Sequence, residues 1–340
     1  MKTIFSLLML IAAYISYGQS IKILNLDHPT VSFRGLSVVD DYVLWVSGSK
    51  GTIGFSMNGG KSFYWVNPKG YENRDFRDIE AFDHQTAIAI AVGEPGLILK
   101  TTDSGNNWKV VYKDEEAGVF LDDVEFSKTH PTNGIVIGDP VNGEPYVLST
   151  SDQGTTWQKL PTTSLQDLSE GEAFFAASGS NSYLMDEKNY LSVTGGSTSH
   201  LMINTQPAAK ISLSKSKTAT SGANGMDYWA ATKFGMIVGG DYENPQSSEN
   251  NLFIFELNQF NKPVIHSPQT PPTGYKSGVA IINATTAISC GLGGVDISKD
   301  KGLNWKNMTT TQYHACKRSK KGTEVYFTGP NGRIGKLFPY

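Results

Sequence analysis

Thr101-Thr102-Asp103-Ser104-Gly105-Asn106-Asn107-Trp108 decides the fold, because the pattern Ser/Thr-x-Asp-x-Gly-x-x-aromatic returns along the chain. Thr150 through Trp157 and Ser298 through Trp305 are further copies, and Ser56 through Phe63 is a softer one with Asn58 in place of Asp. Each copy follows an apolar run, such as Leu97-Ile98-Leu99 or Tyr146-Val147-Leu148, and ends in an aromatic. That order reads as strand, tight turn, strand. The acid (Asp103, Asp152, Asp300, or Asn58) accepts hydrogen bonds from its own turn, while Gly105, Gly154 and Gly302 permit a positive φ. Trp108, Trp157 and Trp305 are placed to fill gaps between neighbouring sheets. The residues therefore read as structural.

Spacing gives the number of units. Asp103 lies 45 residues after Asn58, and Asp152 lies 49 after Asp103. Asp300 lies 148 after Asp152, about three such steps, so two units with worn turns fall near Ser199–Leu213 and Asn251–Ile265. A second repeat, a β-prone run ending in glycine, occurs seven times, as in Leu44–Gly48, Ala89–Gly93 and Val325–Gly329. Units that cannot bury a core alone must stack. Seven four-stranded units of this length predict an all-β chain, a seven-bladed β-propeller. Ile21-Lys22-Ile23-Leu24-Asn25-Leu26 is expected to supply the outer strand missing from the last blade and so close the ring.

Lys2, the apolar run from Ile4 to Ile15, and small residues at Ser16 and Gly18 read as a signal peptide over residues 1–18. Residues 19–340 are then one propeller domain, exported to a periplasmic or extracellular place and expected to be a monomer. No later segment is apolar for long enough to span a bilayer. The net charge of −3 argues against nucleic acid as a partner. Cys290 and Cys316 read as two buried thiols, with a bridge open to them in an oxidising compartment. The six histidines show no zinc-type spacing, and no nucleophile elbow or dinucleotide fingerprint occurs. Neither a metal nor a cofactor is implied.

Propeller geometry assigns the faces. The Asp turns join strands three and four. The Gly turns join strands two and three on the opposite face, where each inner strand also begins. Inner strands are expected to begin near Phe33, Phe76, Leu121, Gly171-Glu172, Asn224, Tyr275 and Tyr313. The channel mouth there collects Arg34, Arg77, Asp78, Asp123, Glu172 and Lys276, with Glu94, Asp139 and Asp241 on the rim. Arg34 and Arg77 hold equivalent places in adjacent blades, each after a Phe, and two such guanidiniums suit a carboxylate or an acidic peptide. The bland alternative pairs each Arg with a neighbouring acid such as Asp78, Asp123 or Glu94. Carboxylates drawn from Asp78, Asp122, Asp123 and Glu172 are the candidates for acid/base work on a glycan.

The repeated turn is similar to the Asp-box, or bacterial neuraminidase repeat, shared by sialidases and by non-enzymatic propellers. Phe76-Arg77-Asp78-Ile79-Glu80-Ala81-Phe82, followed by Val92-Gly93-Glu94-Pro95-Gly96, resembles a blade of the photosystem II stability and assembly-factor family. Ile137-Gly138-Asp139-Pro140 and Gly171-Glu172-Ala173 resemble exported propellers of Bacteroidetes-type bacteria that carry the label oxidoreductase, though no redox motif stands behind it. The resemblance to assembly factors implies a scaffold that holds a protein client at an arginine-rich mouth, with Arg34 and Arg77 the matching positions. Leu121, Glu172 and Lys276 stand where later blades would need Arg. A sialidase requires an arginine triad and an Arg-Ile-Pro segment, and Phe33-Arg34-Gly35-Leu36 lacks the Ile-Pro. The leading expectation is a binding scaffold rather than an enzyme. A glycan-binding or glycan-active propeller is the alternative.

Overall fold

The computed structural model describes residues 19–162, 166–214 and 218–338. The signal-peptide segment, 1–18, lies outside them. The chain forms seven antiparallel blades, all β apart from short turns of helix such as Ala230–Thr232. Blade 1 runs Phe33–Val38, Leu44–Gly48, Ile53–Ser56 and Tyr64–Trp65. Blade 2 runs Asp75–Ala81, Ala87–Val92, Gly96–Thr101 and Lys109–Asp114. Blade 3 runs Leu121–Phe126, Gly134–Val141, Glu144–Thr150 and Gln158–Lys159. Blades 4 and 5 have inner strands Ser182–Leu184 and Ser221–Trp229, and blade 6 begins with Gly278–Ile281. Their outer pairs, Ser199–Asn204 with Ala209–Ser214 and Leu252–Leu257 with Pro263–His266, fall where the worn repeats were expected.

Blade 7 takes Ala315–Arg318, Val325–Thr328 and Ile334–Phe338 from the C-terminal end, and Ser20–Asn25 as its outer strand. Ile21 faces Leu337 and Lys22 faces Lys336 in that pairing. The ring is thus closed by strands from both ends of the described chain, and the outer edge of Ile334–Phe338 is covered. Apolar side chains pack between blades: Trp45 and Phe55 of blade 1 stack at 4.6 Å and lie in one core with Ile79, Ala89 and Leu99 of blade 2. Each large side chain buried this way contributes about 1.5–3 kcal/mol.

The four turn copies share one geometry. Thr101 Oγ1 donates to Asp103 Oδ1 at 2.9 Å and accepts from Gly105 N at 2.9 Å. Asp103 Oδ1 in turn accepts from Asn107 N at 2.9 Å. The same three bonds recur around Asp152 and Asp300, and around Asn58 with Ser56, Gly60 and Ser62. The glycines adopt φ values of 76°, 71° and 82° at Gly105, Gly154 and Gly302. Trp108 Nε1 reaches back to Val66 O of blade 1 at 2.9 Å. Desolvation works upward on Asp152, but bonds from Thr156, Thr150 and Thr155 hold its carboxyl down at about 2. A depressed carboxyl contributes stability that is present above its unfolded value and lost as pH falls through the folded one. Asp152→Asn is therefore expected to melt close to wild type at pH 7, since Asn58 fills this role natively, and to lose less on acidification to pH 3. Asp152→Ala is expected to cost about 1 kcal/mol at pH 7. Thermal melts at the two pH values check both.

One inner strand departs from expectation. Glu172–Ala173 is not the start of blade 4 but a short piece paired to Gly195–Gly196, itself bridged to Gly222 of blade 5. Blade 4 begins ten residues later, at Ser182. The intervening run, Ala176-Ala177-Ser178-Gly179-Ser180-Asn181, enters the central channel and plugs it. Ser178 Oγ donates to Ser277 O of blade 6 at 2.6 Å, and Gly179 lies directly against the Asp78 carboxylate of blade 2. Only small side chains fit where several inner strands converge, which is the physical reason for this composition.

Candidate functional site

The plug divides the channel into a mouth on the Gly-turn face and a cavity on the repeat-turn face. At the mouth, four inner strands carry a bulge. Partners jump from Phe33↔Gly48 to Gly35↔Ser47, and likewise across Phe76/Asp78, Leu121/Asp123 and Ala223/Gly225. The residues left out of register are Arg34, Arg77, Asp122 and Asn224. A bulge re-aims its extra side chain, and here the same device serves four blades.

Arg34 and Arg77 come together as their equivalent positions implied. Arg34 is half-buried, its pKa lowered by burial and by the Arg77 charge, and Nη1 donates to Ala177 O of the plug at 3.2 Å. Arg77 Nε pairs with Asp75 Oδ2 at 2.8 Å, rather than with Asp78, Asp123 or Glu94. His314 lies beside them and bonds Ser32 Oγ at 3.0 Å. Burial first, then the charges of Arg34, Arg77 and Arg333, push the His314 pKa down to about 3, so it stays neutral. Arg333 comes from the strand two–three turn of blade 7, where its Nη1 donates to Gln312 O at 2.7 Å. Arg333 is not among the mouth residues expected from the sequence. The signal that would have placed it was its position in the Gly turn of the blade next to Arg34. Arg74 was missed altogether, and it ties the blade 2 turn through Gly93 O, Glu94 O and Pro95 O at 2.8, 2.8 and 2.6 Å.

The expected rim acids are mostly engaged in structure. Glu94 Oε1 accepts from Gly118 N at 2.6 Å, and Asp241 Oδ1 from Thr220 Oγ1 at 2.8 Å. Asp139 Oδ1 accepts from Phe174 N at 3.0 Å, and burial raises its pKa to about 6. Lys276 does not face the mouth. It is fully buried, with Nζ on Asp296 Oδ2 at 2.6 Å and Gly294 O at 2.8 Å. Glu172 is likewise enclosed, accepting from Lys210 Nζ, His200 Nδ1 and Ser169 N at 2.7, 2.8 and 2.8 Å, and these bonds outweigh desolvation to hold its carboxyl at about 2.

The acids put forward for glycan chemistry, Asp78, Asp122, Asp123 and Glu172, are 0, 0, 1 and 2 % exposed. A sugar ring does not reach them past the plug. Asp78 Oδ2 accepts from Val124 N at 3.0 Å, and Asp123 Oδ2 from Ser182 N at 2.7 Å, so each ties its blade to the next. Burial raises the pKa of all three aspartates. Both oxygens of Asp122 are buried without a partner. Cys290 and Cys316 are free, buried thiols in one core shared by blades 6 and 7.

No family model and no curated protein matches the chain. Solved structures do. The chain is similar to "YCF48 bound to D1 peptide", at 14% identity and a TM-score of 0.66, over 96% of this chain and 97% of that one. It is also similar to YCF48 from Cyanidioschyzon merolae, at 16% identity and a TM-score of 0.66, over 94% and 99%. At these identities the likeness shows the fold. No described helix is long and apolar enough to cross a membrane.

Proposed function

We propose that this chain is an exported scaffold that docks an acidic peptide segment of a protein client at the arginine mouth. The observation that carries the reading is the convergence of Arg34, Arg77 and Arg333 around a histidine kept neutral by their charge and by burial. Neutralising carboxylates are few there: Asp75 takes Arg77, Asp122 is pushed toward the protonated form, and Asp139 is engaged by Phe174 N. Guanidiniums held half-buried are pre-organised to accept a carboxylate with two parallel bonds. A fold-level likeness to a propeller solved with a peptide supports a peptide as the ligand class. Export is inferred from Lys2 and the Ile4–Ile15 run. Glycan chemistry has less support, because its candidate acids are sealed.

The test is affinity capture from the source organism's envelope fraction with the mature chain and with an Arg77→Glu/Arg333→Glu variant. Both arginines bond main-chain or local partners, so the variant is expected to melt like wild type. A client retained by wild type and lost by the variant, with acidic peptides from that client binding at least about tenfold more weakly to the variant, is the expected result. Equal retention by both proteins overturns the mouth as the docking site.

A further inference from the structure

On the repeat-turn face the channel opens into a cavity of about 420 Å³, which the docking reading does not use. That volume suits a small molecule. Gly179 and Ser180 of the plug line it, and Met226, Val279 and Ile281 supply an apolar wall. Four cations, Lys128, Lys317, Arg318 and Lys320, share its walls with three acids, Glu80, Glu125 and Asp227. The lysines are matched. Lys320 Nζ lies 2.5 Å from Glu80 Oε1, and Lys317 Nζ lies 3.7 Å from Asp78 Oδ1, against which the plug packs. Burial works against the Lys128 ammonium, but Asp227 and then Glu125 outweigh it and raise its pKa.

Arg318 is the cation without an acid. It ends the inner strand of blade 7 and reaches past blade 6, so that its Cζ stands 5.7 Å from the ring centroid of Trp229, which ends the inner strand of blade 5. Nη2 donates to Gly322 O at 2.8 Å, and Nε is buried without a partner. Among the described residues Arg318 makes no ion pair, and Nη1 makes no hydrogen bond. Trp229 lines the same cavity.

We propose that this cavity binds a small monocarboxylate with an apolar or aromatic body, its carboxylate on Arg318 and its body against Trp229, Met226, Val279 and Ile281. A cation would meet Arg318 and find each acid already answered by a lysine. A neutral apolar guest would strip water from the guanidinium without replacing its hydrogen bonds, which is costly. A single carboxylate matches the single surplus charge. The guanidinium is held between Trp229 and Gly322 O before a guest arrives, and a fork fixed in this way suits a planar carboxylate. The site lies on the face opposite the arginine mouth and does not rest on the docking reading.

Burial raises Glu125 to about 8, with Lys128 and Lys317 pulling down and Glu80 and Asp123 pushing up. Asp227 and Tyr183 face the same space. Below that value Glu125 is protonated and adds no negative charge to the walls. An anionic guest favours the protonated form, so affinity falls as pH rises through about 8 and binding there takes up a proton.

The experiment is titration calorimetry on the mature protein with phenylacetate and hexanoate. Phenylacetamide is the neutral control and phenethylamine the cationic one. The expected result is saturable binding of at least one carboxylate at about millimolar Kd or tighter. It weakens about fivefold from pH 6.5 to pH 9 and takes up a proton at the upper value. Glu125→Gln is expected to flatten that pH profile. Arg318→Gln is expected to weaken binding at least about tenfold. Arg318→Lys keeps the charge without the fork, stands in should the glutamine variant melt early, and is expected to weaken binding severalfold. Phenylacetamide or phenethylamine binding as tightly as phenylacetate, or no saturable binding of either carboxylate, would overturn the proposal. So would folded Arg318 variants that bind like wild type, or binding lost in Arg77→Glu/Arg333→Glu instead, which would place the carboxylate at the mouth.

Discussion

Replacing Gly179 by alanine is expected to lower the melting temperature by about 6–12 °C, a loss of about 3 kcal/mol or more. The residue has φ of +55°, and a Cβ there would lie 2.0 Å from Asp78 Cγ and 2.1 Å from its Oδ1. The left-handed backbone alone costs a side-chain-bearing residue about 1–2 kcal/mol. The clash adds about 1–3 kcal/mol, because Asp78 is not free to move. Its carboxylate holds Ile79 N at 2.8 Å and Val124 N at 3.0 Å, so displacing it loosens the joint between blades 2 and 3. Gly93 is the internal control. It has φ of +79° with nothing within 4 Å of its would-be Cβ. Gly93→Ala should therefore cost only the backbone share, about 1–2 kcal/mol. Calorimetric melts of both variants measure the difference. Equal losses would mean that the plug is not packed in the channel, and the division into two separate openings would fail with it.

The ring was legible because the repeats are local. Each Asp turn is closed by bonds among residues at most four apart, so Thr101, Asp103 and Gly105 carry their own geometry wherever they stand. Asn258 shows the limit: it bonds Phe260 N and Lys262 N in the worn turn of blade 5, and the pattern match overlooks it because the surrounding residues have changed. Strand periodicity also placed the ring closure at Ile21, since an unmatched β-prone run at one end and an incomplete blade at the other have few ways to be satisfied. The mouth was half legible. Arg34 and Arg77 share a register, and a shared register in adjacent blades is adjacency in space. The plug was not legible, because Ala176–Asn181 has no strand pattern and its partners, Asp78, Gly225 and Ser277, lie 45 to 101 residues away in sequence. Glu172 was misplaced for the same reason. It looks like the acid after a bulge, yet it stands outside blade 4 and its bonds run to Thr194 and to His200 and Lys210 of that blade. The cavity beyond the plug, lined by acids and lysines together, followed neither motif nor register. It exists because the plug stops short of the far face, and that is a property of packing alone.

Lys317→Met is expected to destabilise the protein by about 3–5 kcal/mol at pH 8 and by much less at pH 5. Lys317 stands in the inner strand of blade 7, and burial, which works against its charge, is outweighed by Asp78, Glu80, Asp123 and Glu125, so its pKa is pushed up. Asp78 is 3.7 Å from the ammonium. Methionine keeps the stem and its packing, and removes the blade 7 charge that faces Asp78, Asp123 and Glu125, leaving Lys320 on Glu80. The acids then answer to pH. Asp78, Asp123 and Glu125 are already raised by burial, and Lys317 is among the charges that pull each of them down. Without it they rise further. A carboxyl raised in the folded state contributes stability that is complete below its unfolded value, near 4, and is lost as pH climbs through the folded value. For Glu125 that window already reaches to about 8 in the native chain. In the variant the protonated cluster is tolerated at pH 5, whereas at pH 8 folding must either bury bare carboxylates or hold protons against the solvent. The melting deficit relative to wild type should therefore at least double between pH 5 and pH 8. A deficit equal at both values would show that Lys317 acts through its methylenes and not its charge. In that case the acids of the channel would already be neutralised among themselves.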